Sequence, residues 1–247
     1  DEFQIDASLE YSEQDNVCCS RTFYSTDPNV AGSSAFSAIF LSRVNANGIV
    51  PDNGLLLSIN DASITHVNEV THFTLKPTWT FENGFELRSI TGYRNWYQNA
   101  ITDSDMVDID IANRLDVVRE MDIYTQEFQL VSPGGEKLEY LFGLYYFFQR
   151  FNVDADLRGA AFLTGGTQLK TLQETEVESR NYAAYFHLTY NFSDRWEGFV
   201  GGRVLRDEIE ADFVSNGTFF VFPTGSLQGT AEEGESDWIG NVGLKLH

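Results

Sequence analysis

The chain lacks several things, and each shortage closes a class of structure. Its only two cysteines are adjacent, Cys18 and Cys19, so no framework of spaced disulfides can hold it together. Cations are scarce: 16 Lys and Arg stand against 37 Asp and Glu, a formal charge of −21. A surface of that sign repels a phosphate backbone, so no nucleic-acid partner is expected. No run approaches the roughly 20 apolar residues of a membrane helix. There is no His-x-x-His pair and no serine nucleophile elbow, so neither a metal-ligating helix nor a serine hydrolase is written into the chain. No cofactor motif is present, and none is expected. A sequence that begins Asp1-Glu2-Phe3 within a strand pattern, with no signal peptide, is read as mature, trimmed or internal to a longer protein.

Aromatics are abundant (20 Phe, 11 Tyr and 4 Trp), and they alternate. In residues 179–192, Tyr182, Ala184, Phe186, Leu188, Tyr190 and Phe192 share one parity; Asn181, Ala183, Tyr185, His187, Thr189 and Asn191 share the other. A period of two places successive side chains on opposite faces of a pleated sheet, which predicts a β-strand. Fourteen residues is long against the usual five or six, and suits a tilted bilayer crossing. Seven further segments alternate: 3–11, 70–81, 85–97, 122–131, 136–151, 196–207 and 236–247. Three connections are tight, at 82–84, 132–135 and 193–195. Four are long and polar, at 12–68, 98–121, 152–178 and 208–235.

Short turns on one side and long loops on the other are the pattern of bacterial outer-membrane barrels, with the turns in the periplasm. The fold expected is therefore all-β: about eight antiparallel membrane β-barrel strands with short periplasmic turns and long outer loops. Phe142, Leu144, Phe186, Leu188 and Val200 are expected to face lipid. Phe81, Phe85, Tyr190, Phe192 and Trp196 are read as one aromatic belt, and Tyr93, Trp96, Tyr97, Tyr146, Phe148 and Tyr182 as the other. The competing reading, a soluble sandwich or lipocalin-like barrel with an aromatic core, calls for shorter strands.

Three blocks carry a family resemblance. Ser89-Ile90-Thr91-Gly92-Tyr93-Arg94 resembles the "SITGYR" strand of TonB-dependent outer-membrane receptors. Gln126-Glu127-Phe128-Gln129-Leu130, followed by Tyr140-Leu141-Phe142-Gly143-Leu144-Tyr145-Tyr146, is similar to that family's next hairpin. Tyr182 to Phe186, Tyr190 to Trp196 and Gly201-Gly202-Arg203 resemble the one after it, in the family's order. The resemblance implies about 22 strands closed around a plug, a small nutrient ligand and an energy-transducing TonB complex as partner. Outer-membrane lipid and lipopolysaccharide would surround such a barrel. Only eight strands are read here, with no plug and no aromatic-ended last strand. The chain is therefore expected to be an internal, open section of a receptor barrel in the bacterial outer membrane, and not an enzyme. The other reading, a self-contained eight-strand barrel for adhesion or structure, requires residues 3–11 to pair with 236–247.

Candidate sites are few. Asp103, Asp105, Asp108 and Asp110 form an acidic run that could hold Ca²⁺, but the run lacks the glycine and terminal Glu of a calcium loop, and a solvated acidic loop explains it as well. Cys18 and Cys19 could bond to each other or to a segment outside this chain. His66, His72, His187 and His247 are scattered. Arg88, Arg94, Glu127, Glu139, His187 and Arg203, with Asn181, are expected to line the lumen, Glu127 or Glu139 pairing with an arginine on a neighbouring strand. The overall charge suggests that this lumen is acidic.

Overall fold

Long alternating segments joined by tight turns can satisfy their backbone groups only by pairing with one another. In a computed structural model that describes residues 1–17, 42, 45–46, 64–103, 114–159, 165–167, 169–193, 195–219 and 222–246, they form one antiparallel sheet. Its strands are β1 (Glu2–Asn16), β2 (Thr65–Thr80), β3 (Glu86–Thr102), β4 (Arg114–Val131), β5 (Leu138–Gly159), β6 (Leu169–Ser193), β7 (Trp196–Phe219) and β8 (Phe222–Leu246). They lie in the sheet in chain order. β1 pairs with β2 and β8 with β7, and the sheet does not close. Among the described residues no helix is long and apolar enough to cross a membrane.

The three tight turns fall where the sequence places them. At Glu82-Asn83-Gly84, the Gly84 amide donates to the Phe81 carbonyl (2.8 Å) and Gly84 takes φ 81°, a conformation that a side chain resists. Gly135, at φ 80°, does the same between β4 and β5, where the Ser132 amide donates to the Tyr140 carbonyl at 2.8 Å.

Register sorts the side chains onto two faces. One carries Phe73, Leu75, Leu87, Phe128, Leu130, Phe142, Leu144, Phe186, Leu188, Val200, Val204 and Trp238, with Leu87 beside Leu130, Phe128 beside Leu144, Phe142 beside Phe186, Leu188 beside Val200 and Val204 beside Trp238. Much of this face lies open: Leu144 is 61% exposed, Val204 58% and Trp238 75%. A continuous apolar surface of that extent requires a nonaqueous neighbour. Tyr93 and Tyr124 (4.8 Å between centroids) and Tyr146 and Tyr182 (5.2 Å) edge the band at the end away from the tight turns.

Beyond that edge the polarity reverses. Along β5 the outer positions change from Phe142, Leu144, Tyr146 and Phe148 to Arg150, Asn152, Asp154, Asp156 and Arg158, while Phe151, Val153, Ala155 and Leu157 occupy the inner ones. This corrects the expected strand ends. The segment 208–235, read as a long polar loop, is strand on both sides, with Phe219 paired to Phe222. Glu208, Glu210 and Asp212 still alternate with Ile209, Ala211 and Phe213, but with apolar residues inward, so a reading tuned to apolar-outward alternation stops too early. The same reversal extends β4, β5 and β6 into ranges read as loop.

These extensions carry their own ion pairs. Asp156, above the apolar band, accepts from Arg158 Nη2 at 2.6 Å, and Lys170 on β6 stands 3.1 Å away. Burial pushes this carboxyl up, but hydrogen bonds from Arg158 and Lys170 outweigh it and hold it below its ordinary value of 3.8.

Two outcomes follow from this architecture. A carboxyl held low in the folded state stabilises the outer ends of β5 and β6 above its unfolded pKa, and that contribution is lost as pH falls through the folded value. Amide protection at Asp156–Gly159, corrected for intrinsic exchange, should drop as pH falls below the ordinary carboxyl value of 3.8, and D156N should show no such step; an unchanged acid step in D156N refutes the assignment. Separately, two unpaired edges of long strands should make the isolated chain bind detergent heterogeneously and form no discrete pore. Uniform single-channel conductance in planar bilayers would contradict this.

Candidate functional site on the inner face

Arg88, Arg94, Glu127, Glu139, Asn181, His187 and Arg203 all take the parity opposite the apolar band. The structure gathers Glu127, His187 and Arg203 around one cleft, with Tyr145, Tyr185 and Asn241. It does not gather the others. Arg88 donates through Nε to Glu86 on its own strand (2.9 Å), and Asn181 donates to Asp207 (2.5 Å).

The expected carboxylate–arginine pairing across strands gives way to another arrangement. Glu139 accepts from the Gly135 amide in its own turn, at 2.7 Å. Glu127 on β4 accepts the Tyr185 hydroxyl from β6, two strands away, and Gln129 Nε2 at 2.8 Å. Tyr185 reaches that far because Gly143 lies beneath it on β5: a Cβ there would stand 2.0 Å from the ring. The signal was a glycine at an inner position among large residues, which marks close packing over the backbone. Arg203 holds its guanidinium 5.7 Å from the centre of the Tyr145 ring, with its Nε buried and unpartnered.

Toward the end away from the turns lies a wall that the sequence reading missed. Ser12, Val70, Trp96, Met121, Phe151, Val177, Ala211 and Ala231 form one inner row across all eight strands. Trp96 therefore does not belong to the outer aromatic belt: its parity is inward, and it stacks on Phe151 at 6.4 Å and 12°. In the next row Arg119 Nη1 donates to Gln98 Oε1 (2.5 Å), and Gln98 Nε2 to Asn68 Oδ1 (3.0 Å). Asn68 Nδ2 meets His66 Nδ1 in the row beyond, at 3.0 Å. The outcome is a flat aromatic ledge under a directed polar ladder that starts at a guanidinium.

The inner face carries Glu10, Glu127, Glu139, Asp207, Glu233 and Glu235, but not at the level of this wall. Those three rows, from Ser12, Gln14 and Asn16 to Ala231, Gly229 and Leu227, hold no Asp or Glu. At the same level the outer faces of β5–β7 carry Asp154, Asp156, Glu174, Glu176, Glu178, Glu210 and Asp212. In these three rows carboxylates turn outward, and the inner wall keeps Arg119.

The remaining candidates do not assemble. His72 lies 4.0 Å from Glu10, and His187 stacks on Phe199 at 5.8 Å; His247 lies outside the described residues. Asp103 is buried, while Asp105, Asp108, Asp110, Cys18 and Cys19 lie outside the described residues. Among those described, no group of three His, Cys, Asp or Glu could hold a metal ion.

No protein-family model matches the sequence, and neither does any curated protein. Among solved structures, the chain is similar in fold to the ferric yersiniabactin uptake receptor FyuA from Yersinia pestis, with a TM-score of 0.60 and 14% identity. The match covers 76% of this chain and 27% of that receptor, so the chain spans about a quarter of the length of the structure it resembles. FyuA is a β-barrel receptor for transport, and the sheet described above has the architecture of a section of such a wall.

Proposed function

We propose that this chain is an internal section of the barrel of a TonB-dependent receptor in the bacterial outer membrane. In its complete form the receptor takes up a scarce nutrient: a ferric siderophore, a cobalamin or an oligosaccharide. The apolar band faces lipid, and the charged outer belt above it meets lipopolysaccharide. The inner face lines the lumen, where a plug sits, and the TonB complex drives transport. The section catalyses no reaction in this reading.

One observation carries it: a sheet of eight long antiparallel strands, open at both edges, with tight turns at one end and an exposed apolar band. The order of the three resembling blocks and the likeness in fold to a receptor of this kind support it. A self-contained eight-strand barrel needs a ladder between β1 and β8, and no such pairing occurs among the described residues.

Spin labels at Phe142, Leu144, Phe186, Leu188 and Val200 in a reconstituted bilayer should report collisions with oxygen dissolved in lipid. Arginine at Phe142 or Leu188 should cost about 2–4 kcal/mol of stability there. Labels that report water at these positions would remove the membrane assignment and the receptor reading with it.

A further inference from the structure

The outward positions of three adjacent strands share one order. Away from the tight turns they read Phe148, Arg150 and then Asp154 on β5, Tyr182, Arg180 and Glu178 on β6, and Val204, Arg206 and Glu208 on β7. Each arginine follows the last apolar or aromatic side chain, and carboxylates lie beyond it. The arginines descend together: Arg150 pairs in register with Glu178, Arg180 with Glu208, and Arg206 with Ser236. Strands of a membrane barrel tilt by about 35–45°, so positions that descend from strand to strand lie near one depth. At the low end of this line the apolar surface is hollow. Two depressions, of about 710 Å³ and about 500 Å³, adjoin at Ala184, Val204 and Trp238, and Gly202 and Gly240 leave the smaller one without side chains. Unfilled, such a hollow forfeits dispersion contacts along its whole lining. Arg206 borders the larger one; it donates through Nε to Glu208 at 2.7 Å and is 58% exposed, which leaves its Nη edge toward the medium. Farther out, Glu210 stands directly opposite Glu232, like charges side by side.

We propose that this face binds a phospholipid with a phosphoethanolamine headgroup. One acyl chain lies in the hollow, the phosphate accepts from Arg206, and the ammonium donates to Glu208 beneath the facing carboxylates of Glu210 and Glu232. The inference rests on the receptor reading, in which the apolar band faces lipid, and it puts a phospholipid in place of lipopolysaccharide over β6 and β7. The order of charges selects the headgroup. From the bilayer outward such a lipid presents chain, anion and cation, while β7 presents apolar side chain, cation and anions. A polyanionic glycolipid would set its further negative charges against Glu208, Glu210 and Glu232. A phosphoglycerol headgroup would engage Arg206 and bring no cation to the carboxylates.

The test uses the whole chain in phosphatidylcholine vesicles, with Trp79→Phe, Trp96→Phe and Trp196→Phe so that Trp238, between the two hollows, is the only tryptophan. A minor fraction of lipid brominated in mid-chain quenches the indole it touches. Brominated phosphatidylethanolamine should occupy the site about threefold more than brominated phosphatidylglycerol, the scale of one exposed charge pair. Arg206→Gln should lower its occupancy about threefold, and Glu208→Gln should abolish the preference between the two headgroups. Glu233→Gln, on the inner face, should change neither. Unbrominated lipid A should relieve the quenching less than an equal amount of unbrominated phosphatidylethanolamine. The chain with all four tryptophans gives a second reading: with spin-labelled lipids, the immobilised fraction should be larger for the ethanolamine headgroup, and the difference should vanish in Arg206→Gln. Equal occupancy by the two headgroups, stronger displacement by lipid A, or an R206Q chain that behaves as the parent overturns the proposal. If that failure comes with lipid exposure at Phe142 and Leu188, the phospholipid falls and the receptor reading stands. Water exposure at those positions removes both.

Discussion

Every feature of this chain hangs on the inter-strand ladder. With no long helix among the described residues, nearly all backbone donors and acceptors of the strands must be satisfied by neighbours to left and right. That requirement fixes a strict two-residue period over 15 to 25 residues per strand, and the period leaves side chains only two places to go. A sheet built this way has two independent surfaces, and composition on one says nothing about the other.

The chain uses that independence twice, with opposite sign. Near the tight turns the apolar set faces out and the polar set in; beyond the Tyr93–Tyr124 and Tyr146–Tyr182 edge the two exchange. Nothing in the backbone marks the exchange, since β5 continues through Phe148 and Arg150 without a break in register. The proposed passage from lipid to water along the strand accounts for it. The exchange also explains how so acidic a chain can keep part of its interior free of carboxylates: they are exported to the outer face, where water solvates them or Arg150, Arg180 and Arg206 pair with them.

Much of the fold was legible in the sequence because alternation is a direct projection of sheet geometry. The eight strands, the three tight turns and the outward placement of Phe142, Leu188 and Val200 could be read from period and glycine chemistry alone. The outer strand ends could not, because DEIEADF alternates in the inverted sense and resembles a solvated loop in composition. The site was legible only in parity. That Arg203, Glu127 and His187 share a face follows from counting. That Tyr185 reaches Glu127 across an intervening strand depends on lateral neighbours, which no single strand records. Trp96 was misplaced for the same reason: its position near a strand end suggested a belt, and only its pairing with Met121 shows which way it points.

Tyr185 lying over Gly143 has a mechanical meaning as well. The ring spans β5 from β6 and ties to β4 through Glu127, so three strands share one bolt. Sliding β5 by one pleat would bring Leu141 or Tyr145 beneath the ring, where neither side chain leaves it room. The notch therefore resists shear along the strands, the direction in which a ladder of hydrogen bonds yields most readily to a repeat of itself. A sheet held this way can bear load along its strands without their creeping past one another.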